Sequence, residues 1–194
     1  MGLLYGGGIM GFIIEDGKGT GTTAKVNSEN MLETKCVGVD FEQHINEDHG
    51  QAYSAGIQQT PTAAGDCFAY ITNNSDGDMI VSALMLAAAS DEYVVVKLGD
   101  TGTAIGGDTV TPGNRNAGSG NEADVTAEQG VDITGLSGGT GVMRIFLDGG
   151  VSSKKYDICS CLIIPKNKTI SFYCVTGAIQ ITMGVAMFFH ETHT

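Results

Sequence analysis

The chain has 194 residues, enough for one ordinary domain, and it carries 22 acidic against 10 basic side chains for a formal net charge of −12. So few cations leave little with which to displace counterions from a phosphate backbone, which argues against nucleic acid as a partner. Twenty-nine glycines and three prolines, set among frequent Thr, Val and Ile, point away from a helical bundle and toward many short strands joined by turns.

The first fourteen residues, M-G-L-L-Y-G-G-G-I-M-G-F-I-I, are apolar but have no basic lead and no small-residue cleavage site. The run is also too short and too rich in glycine for a bilayer, which takes about 20 apolar residues. Neither an export signal nor a membrane anchor is expected, and the myristoylation pattern at Gly2 fails because its sixth position is Gly6. Residues 1–24 hold eight glycines and read as an arm, with the sandwich domain expected over 25–194.

Strands are predicted at 9–14, 31–40, 67–73, 79–88, 93–98, 142–147, 158–164, 169–175 and 179–189. Turn formers in N-N-S-D-G-D (73–78) and P-K-N-K (165–168) predict hairpins. M-I-V-S-A-L-M-L-A-A-A at 79–89 also suits a helix by propensity, but its strand-like neighbours favour a buried strand. Along 67–72, Cys67, Ala69 and Ile71 alternate with Phe68, Tyr70 and Thr72, so both faces are apolar. That implies a second covering layer, with another subunit on the outer side. Residues 101–141 hold eleven glycines, one base (Arg115) and no aromatic residue, and read as a long surface loop with short strands.

The five cysteines, Cys36, Cys67, Cys159, Cys161 and Cys174, form no C-x-x-C pair and read as reduced core residues. Lys154, Lys155, Lys166 and Lys168 form a small basic patch, read as solvated turn tips.

Two stretches concentrate chemistry. H-I-N-E-D-H at 44–49 sets His44 and His49 around Glu47 and Asp48, and H-E-T-H at 190–193 adds His190 and His193. Imidazole and carboxylate are ordinary ligands of zinc, iron and manganese. The metalloprotease pattern needs histidines four apart on a helix, whereas His44 and His49 stand five apart with Gly50 next. On a strand that separation puts the two rings on opposite faces. His44, His49, Glu47 and His190 are therefore the candidates if a metal is bound, while no catalytic residue and no cofactor is assigned. The 44–54 stretch reads as a bend into the sandwich, and H-E-T-H as a frayed tail. G-S-G-N-E-A at 118–123 matches a loose dinucleotide pattern but follows no strand and opens no helical pattern. N-N-S-D-G-D lacks the glutamate of a calcium loop, since Met85 stands there.

Four phrases together resemble small virion proteins of tailed bacteriophages: T-A-K-V-N-S-E-N-M-L-E-T (23–34), H-I-N-E-D-H-G-Q-A-Y-S (44–54), A-G-D-C-F-A-Y-I-T-N-N-S-D (64–76) and P-G-N-R-N-A-G-S-G-N (112–121). The resemblance implies a short lead followed by a β-sandwich, no catalytic residue, and a place on the particle as a capsid decoration (cement) protein or another accessory subunit. The partners it implies are further copies of the chain, as a trimer, and the major capsid or other virion proteins, in the virion after assembly in the host cytoplasm. Two other functions fit the residues: a tail or fibre module binding a host receptor or glycan, and a metal-dependent β-fold enzyme using His44, His49, Glu47 and His190. The expected fold is all-β, an antiparallel sandwich of jelly-roll type.

Overall fold

The computed structural model describes residues 25–26, 32–33, 40–150 and 153–190, the side chains of 25–26, 32–33 and 159–161 excepted. The chain divides into two units, Met1–Val39 and Asp40–Thr194. In the first, β1 (Lys25–Val26) and β2 (Leu32–Glu33) pair antiparallel. The arm expected at 1–24, its strand at 9–14 and most of the strand expected at 31–40 lie outside the described residues.

The second unit opens with a short helix α1 (Phe41–His44), which continues as a π-turn over Ile45–His49. Four strands follow: β3 (Ala52–Gln59), β4 (Cys67–Asn73), β5 (Asp78–Ala88) and β6 (Glu92–Leu98). The glycine-rich region then supplies β7 (Thr101–Ile105), β8 (Asp108–Thr109), β9 (Gly113–Asn114), β10 (Val125–Gln129) and β11 (Thr134–Ser137). The chain ends with β12 (Thr140–Leu147), β13 (Lys154–Ile164), β14 (Thr169–Cys174) and β15 (Ile181–His190). Among the described residues no helix is long and apolar enough to cross a membrane.

Two antiparallel sheets carry the architecture, ordered β12-β6-β14-β4-β10-β8 and β13-β5-β15-β3-β9, and β11-β7 forms a separate pair. Leaving out the glycine-rich insertion, the long strands alternate between the sheets with only β6 and β12 consecutive in one of them, which is the double Greek key of a jelly roll. Phe68, Ile71, Val94, Ile170 and Phe172 from the first sheet meet Leu84, Leu86, Met183, Val185 and Met187 from the second, all within 1% of complete burial. Cys67 and Cys174 are buried free thiols, and burial pushes the Cys67 thiol up to about 12.

The turn formers at 73–78 and 165–168 do not close hairpins. They carry the chain between sheets, from β4 to β5 and from β13 to β14. The two arches lie side by side: Asn73 N–H donates to the Lys168 carbonyl (3.0 Å), and Asn167 N–H donates to that of Asn73 (2.7 Å). The buried Asn73 side chain donates to the Gly77 and Ile164 carbonyls (2.8 and 2.9 Å) and accepts from Ser75, while Lys166 pairs with Asp76. Asn, Asp and Gly allow the chain to turn, but the partner of each strand is chosen by which faces must be buried.

Two bulges correct the facial assignments. In β5 the inward residues are Met79 and Val81, then Leu84, Leu86 and Ala88. The parity changes because β15 skips a residue opposite, pairing Ala186 with Ala83 and Met187 with Val81. That mixed spacing is what resembles a helix in the sequence. In β4, β14 pairs Phe172 with Ala69 but Tyr173 with Cys67, so Phe68 turns inward beside Ile71 while Cys67 and Tyr70 face out. The layer over that outer side is the chain's own: Ile133, Leu136 and Ala104 of the insertion pack on Cys67, Tyr70 and Tyr173, where a second subunit had been expected.

Glu92 shows how the connections are held. It is 1% exposed, and its carboxylate accepts N–H bonds from Tyr93 (2.7 Å), Val175 (3.1 Å), Thr176 (2.8 Å) and Gly177 (3.0 Å), fastening the β14–β15 turn. Burial opposes its charge, but these donors hold Glu92 below the usual glutamate range, and donors from Ser171, Gly139 and Tyr173 do the same for buried Asp100. Depressed folded values mean stability that is present above the ordinary glutamate value of 4.5 and lost as pH falls below it. The melting temperature followed by circular dichroism should be level from pH 7 to about 5 and fall below that. Glu92→Gln should cost about 2 kcal/mol at neutral pH and make the acid decline shallower. Wild-type melting of that variant at pH 7 would refute the anchoring role.

Candidate functional site: the histidine turn and the acidic pocket

The 41–49 segment is helical because it is capped at both ends. The Asp40 carboxylate accepts from Glu42 N–H (3.3 Å), and Gly50 closes the turn in the left-handed conformation (φ 59°), where its N–H donates to the Asn46 and Ile45 carbonyls. Ile45 is the single buried residue of the turn and packs with Ala52, Phe188 and Ile80 on the outside of the second sheet. One buried side chain in nine residues gives little helical periodicity, so the sequence reads as a bend.

The helical turn changes the histidine geometry. A π-turn hydrogen-bonds five residues apart, so His44 and His49 return to one side, with ring centroids 5.8 Å apart at 85°. His44 Nδ1 lies 2.9 Å from Asp48 Oδ2, and Gln43 donates to Glu47 (2.6 Å). His190 does not join them as a ligand set. It ends β15 as part of the strand, its ring 5.4 Å from that of Phe41, and the rest of H-E-T-H lies outside the described residues. Among the described residues no three His, Cys, Asp or Glu side chains converge to hold a metal. The side chains of His44, Glu47, Asp48 and His49 all face solvent, and the His44–Asp48 and Gln43–Glu47 contacts lie within the turn itself.

The insertion seats this turn. Asn114 Nδ2 donates to the Gly50 and Asn121 carbonyls (2.8 and 3.0 Å), Asn121 Nδ2 to that of His49 (2.9 Å) and Asn116 Nδ2 to that of Asn46 (2.9 Å). Arg115 pairs with Glu42, and its N–H donates to the Ala52 carbonyl (2.9 Å). The phrase 112–121 is thus a clamp on the phrase 44–54, and G-S-G-N-E-A belongs to that clamp.

Beside the clamp a pocket of about 380 Å³ is lined by Tyr53 and Phe189, with Gln51, Asp76, Glu122 and Asp124 around them. The Tyr53 and Phe189 rings stand edge to face 5.6 Å apart, and Tyr53 OH donates to the Glu122 carbonyl (3.1 Å). Asn74 N–H donates to the Asp124 carbonyl (3.0 Å), joining the 64–76 phrase to the same place. Its bond to Lys166 holds Asp76 below the usual carboxylate range. The lining offers acceptors and negative charge, which draws cations and hydrogen-bond donors, and its one serine, Ser75, turns its hydroxyl to Asn73 Oδ1 (2.7 Å) and the Gly77 carbonyl (2.9 Å). No local pattern announces this pocket, because its lining comes from four separate segments.

No protein-family model, no curated protein and no solved structure matches the chain, so the resemblance to virion proteins rests on its phrases.

Gly50→Ala should destabilise the protein by about 2 kcal/mol, since it strains a left-handed residue and drives a Cβ into the Ser119 hydroxyl. Urea unfolding measures it. An unchanged midpoint would mean that the 113–121 loop is not seated on the turn.

Proposed function

We propose that this chain is a non-enzymatic structural subunit of a tailed-bacteriophage particle, a decoration (cement) protein that stabilises the head through contacts with the shell and with its own copies, as a trimer. One observation carries the structural reading. The six buried polar side chains among the described residues, Asn73, Ser82, Glu92, Asp100, Thr169 and Ser171, all bond to the fold's own strands and connections. A catalytic site commonly keeps a buried acid or base poised toward a cavity. Here the buried acids are saturated by backbone and hydroxyl donors. The particle itself is supported by the resemblance, three of whose four phrases fold against one another at the clamp and pocket.

The pocket favours a second reading, a tail or fibre module that binds a receptor or glycan. Copy number separates the two. Quantitative mass spectrometry of purified particles should find this chain in numbers comparable to the main shell protein, whereas a few copies per particle would favour the tail reading and complete absence would end both. Elemental analysis of the purified protein should find no stoichiometric transition metal, and one metal per chain would revive the enzyme reading with His44, His49, Glu47 and His190.

A further inference from the structure

Exposed apolar side chains gather at the two borders of the first sheet, and the charges around them have opposite signs. On the β12–β6 border the outward rows are Phe146 beside Tyr93, Arg144 beside Val95 and Gly141 beside Lys97. Tyr93 and Phe146 are 40% and 44% exposed with ring centroids 5.0 Å apart, and Val142, the bulged residue of β12, is 42% exposed. The Arg144 guanidinium lies 4.6 Å from the centre of the Tyr93 ring, and Lys97 Nζ lies 3.7 Å from that of Tyr173. These rows hold two cations and no acid; Asp91 and Asp148 belong to the turns beyond them, where Asp91 accepts from Gly149 N–H. The β11–β7 pair covers β4 and reaches Tyr173 of β14, while β6 and β12 beyond it form an open ledge.

The opposite border of the same sheet, β10 with β8, carries the other sign. Residues 101–141 hold five acids against one base, Arg115, which pairs with Glu42. Three of the five stand together. Asp108 lies opposite Gln129 and Thr109 opposite Glu128, while a Cβ on Gly107 would touch the Glu128 carboxylate and one on Gly106 the Asp132 carbonyl. Ile105 and Val131, 62% and 47% exposed, flank these acids in the chain. Five of the eight large apolar side chains exposed among the described residues thus fall in two patches, one bordered by cations and the other by acids.

We propose that the ledge of one copy, with Tyr93, Phe146 and Arg144, docks on the acidic border of the next, with Ile105, Asp108 and Glu128, so that copies join head to tail and close into a ring of three. Opposite charge selects this occupant. Ledge against ledge would set cations face to face, and border against border would do the same with acids, so neither patch pairs with itself. Two different surfaces meeting make a heterologous contact, which closes into a ring where the rotation allows. Arg, Tyr and Phe are the residues that protein contacts favour, and Arg144 is already stacked on Tyr93 before a partner arrives. The eight residues of β12 make the ledge about 27 Å long, and β12, β6 and the margin of β14 make it about 15 Å wide, a floor on the order of 400 Å². In a closed ring every chain contributes one ledge and one border, which covers roughly 800 Å² of each subunit, the usual share in a stable contact. The inference rests on the proposed trimeric subunit and assigns the surfaces that join it.

The test is the solution mass of the purified chain, by light scattering over a concentration series, which requires no particle. Wild type should reach three times the 20.1 kDa of one chain. Arg144→Glu and Asp108→Lys should each lower the mass to that of one chain without lowering the melting temperature. Both changes in one chain should restore the ring, because the signs are then reversed on both sides of the contact. Phe146→Glu should also dissociate it, which keeps the test decisive if Arg144→Glu folds poorly. Met85→Arg, on the outer side of the other sheet, should leave the mass unchanged. A wild type of one chain, of two chains, or of a size that grows steadily with concentration would overturn the proposal. So would an unchanged mass in the single variants, no recovery in the double variant, or dissociation by Met85→Arg. None of these outcomes bears on copy number in particles, so the virion reading stands or falls separately.

Discussion

The carboxylate of Asp100 sits where the glycine-rich insertion leaves the jelly roll, and it is 2% exposed. It accepts from the hydroxyls of Ser171 and Tyr173 on β14 and from the N–H of Gly139 (2.8 Å), where the insertion returns. Its own carbonyl accepts from Thr169 (2.8 Å). One buried side chain therefore joins both ends of a roughly forty-residue excursion to the same strand of the core, and closing a loop at its root removes much of the entropy that such a glycine-rich segment would otherwise keep. The Tyr173 hydroxyl, pushed up by burial and by its bond to Asp100, stays a donor at any working pH. With the root fixed, β10 lies along β4, β11 and β7 cover Cys67 and Tyr70, and the asparagines of the 112–121 phrase reach Gly50. The sandwich, its outer layer and the seated histidine turn all depend on that attachment.

What the sequence disclosed follows from which forces act locally. Long alternating strands such as β6 and β15 were legible because each residue's side is set by the pleat, and both carry apolar residues at every second position. The bulges were not legible. The parity change near Ser82 and the inward turn of Phe68 depend on the strand opposite, which no local pattern contains. The arches were read as hairpins for the same reason: Asn73 and Asn167 allow a turn, and only the burial of both sheets decides where it leads. The helical turn at 41–49 was hidden because its order comes from Asp40, Gly50 and a clamp about seventy residues away. For the site, the five-residue spacing of His44 and His49 was visible, but its meaning reversed with the local structure, from opposite faces of a strand to neighbours on a π-turn.

A jelly roll by itself leaves function open, since the architecture serves shells, lectins and small-molecule enzymes alike. The use of polar side chains is more informative. Glu92, Asp100 and Asn73 are buried where chemistry would be possible, and each is fully engaged in holding a connection. His44 and His49 with Glu47 and Asp48, which look most like chemistry in the sequence, lie on the solvent side of a turn whose one buried side chain is Ile45. Polar groups are thus used to fix loops in place, which gives the surface a single rigid shape.

The glycines divide along the same line. Gly102 and Gly135 let β7 and β11 approach so closely that a Cβ on either would overlap the other strand's backbone, and at Gly149 and Gly177 one would run into Ser90 and Ala63. Those positions are dictated by the fold. Gly56 is not: its backbone is ordinary, the space above it is empty, and any larger residue would strengthen the strand. Gly56 sits in the outward row it shares with Gly184 and Met85, so the cost of its glycine is carried by a strand whose outer side the fold leaves open.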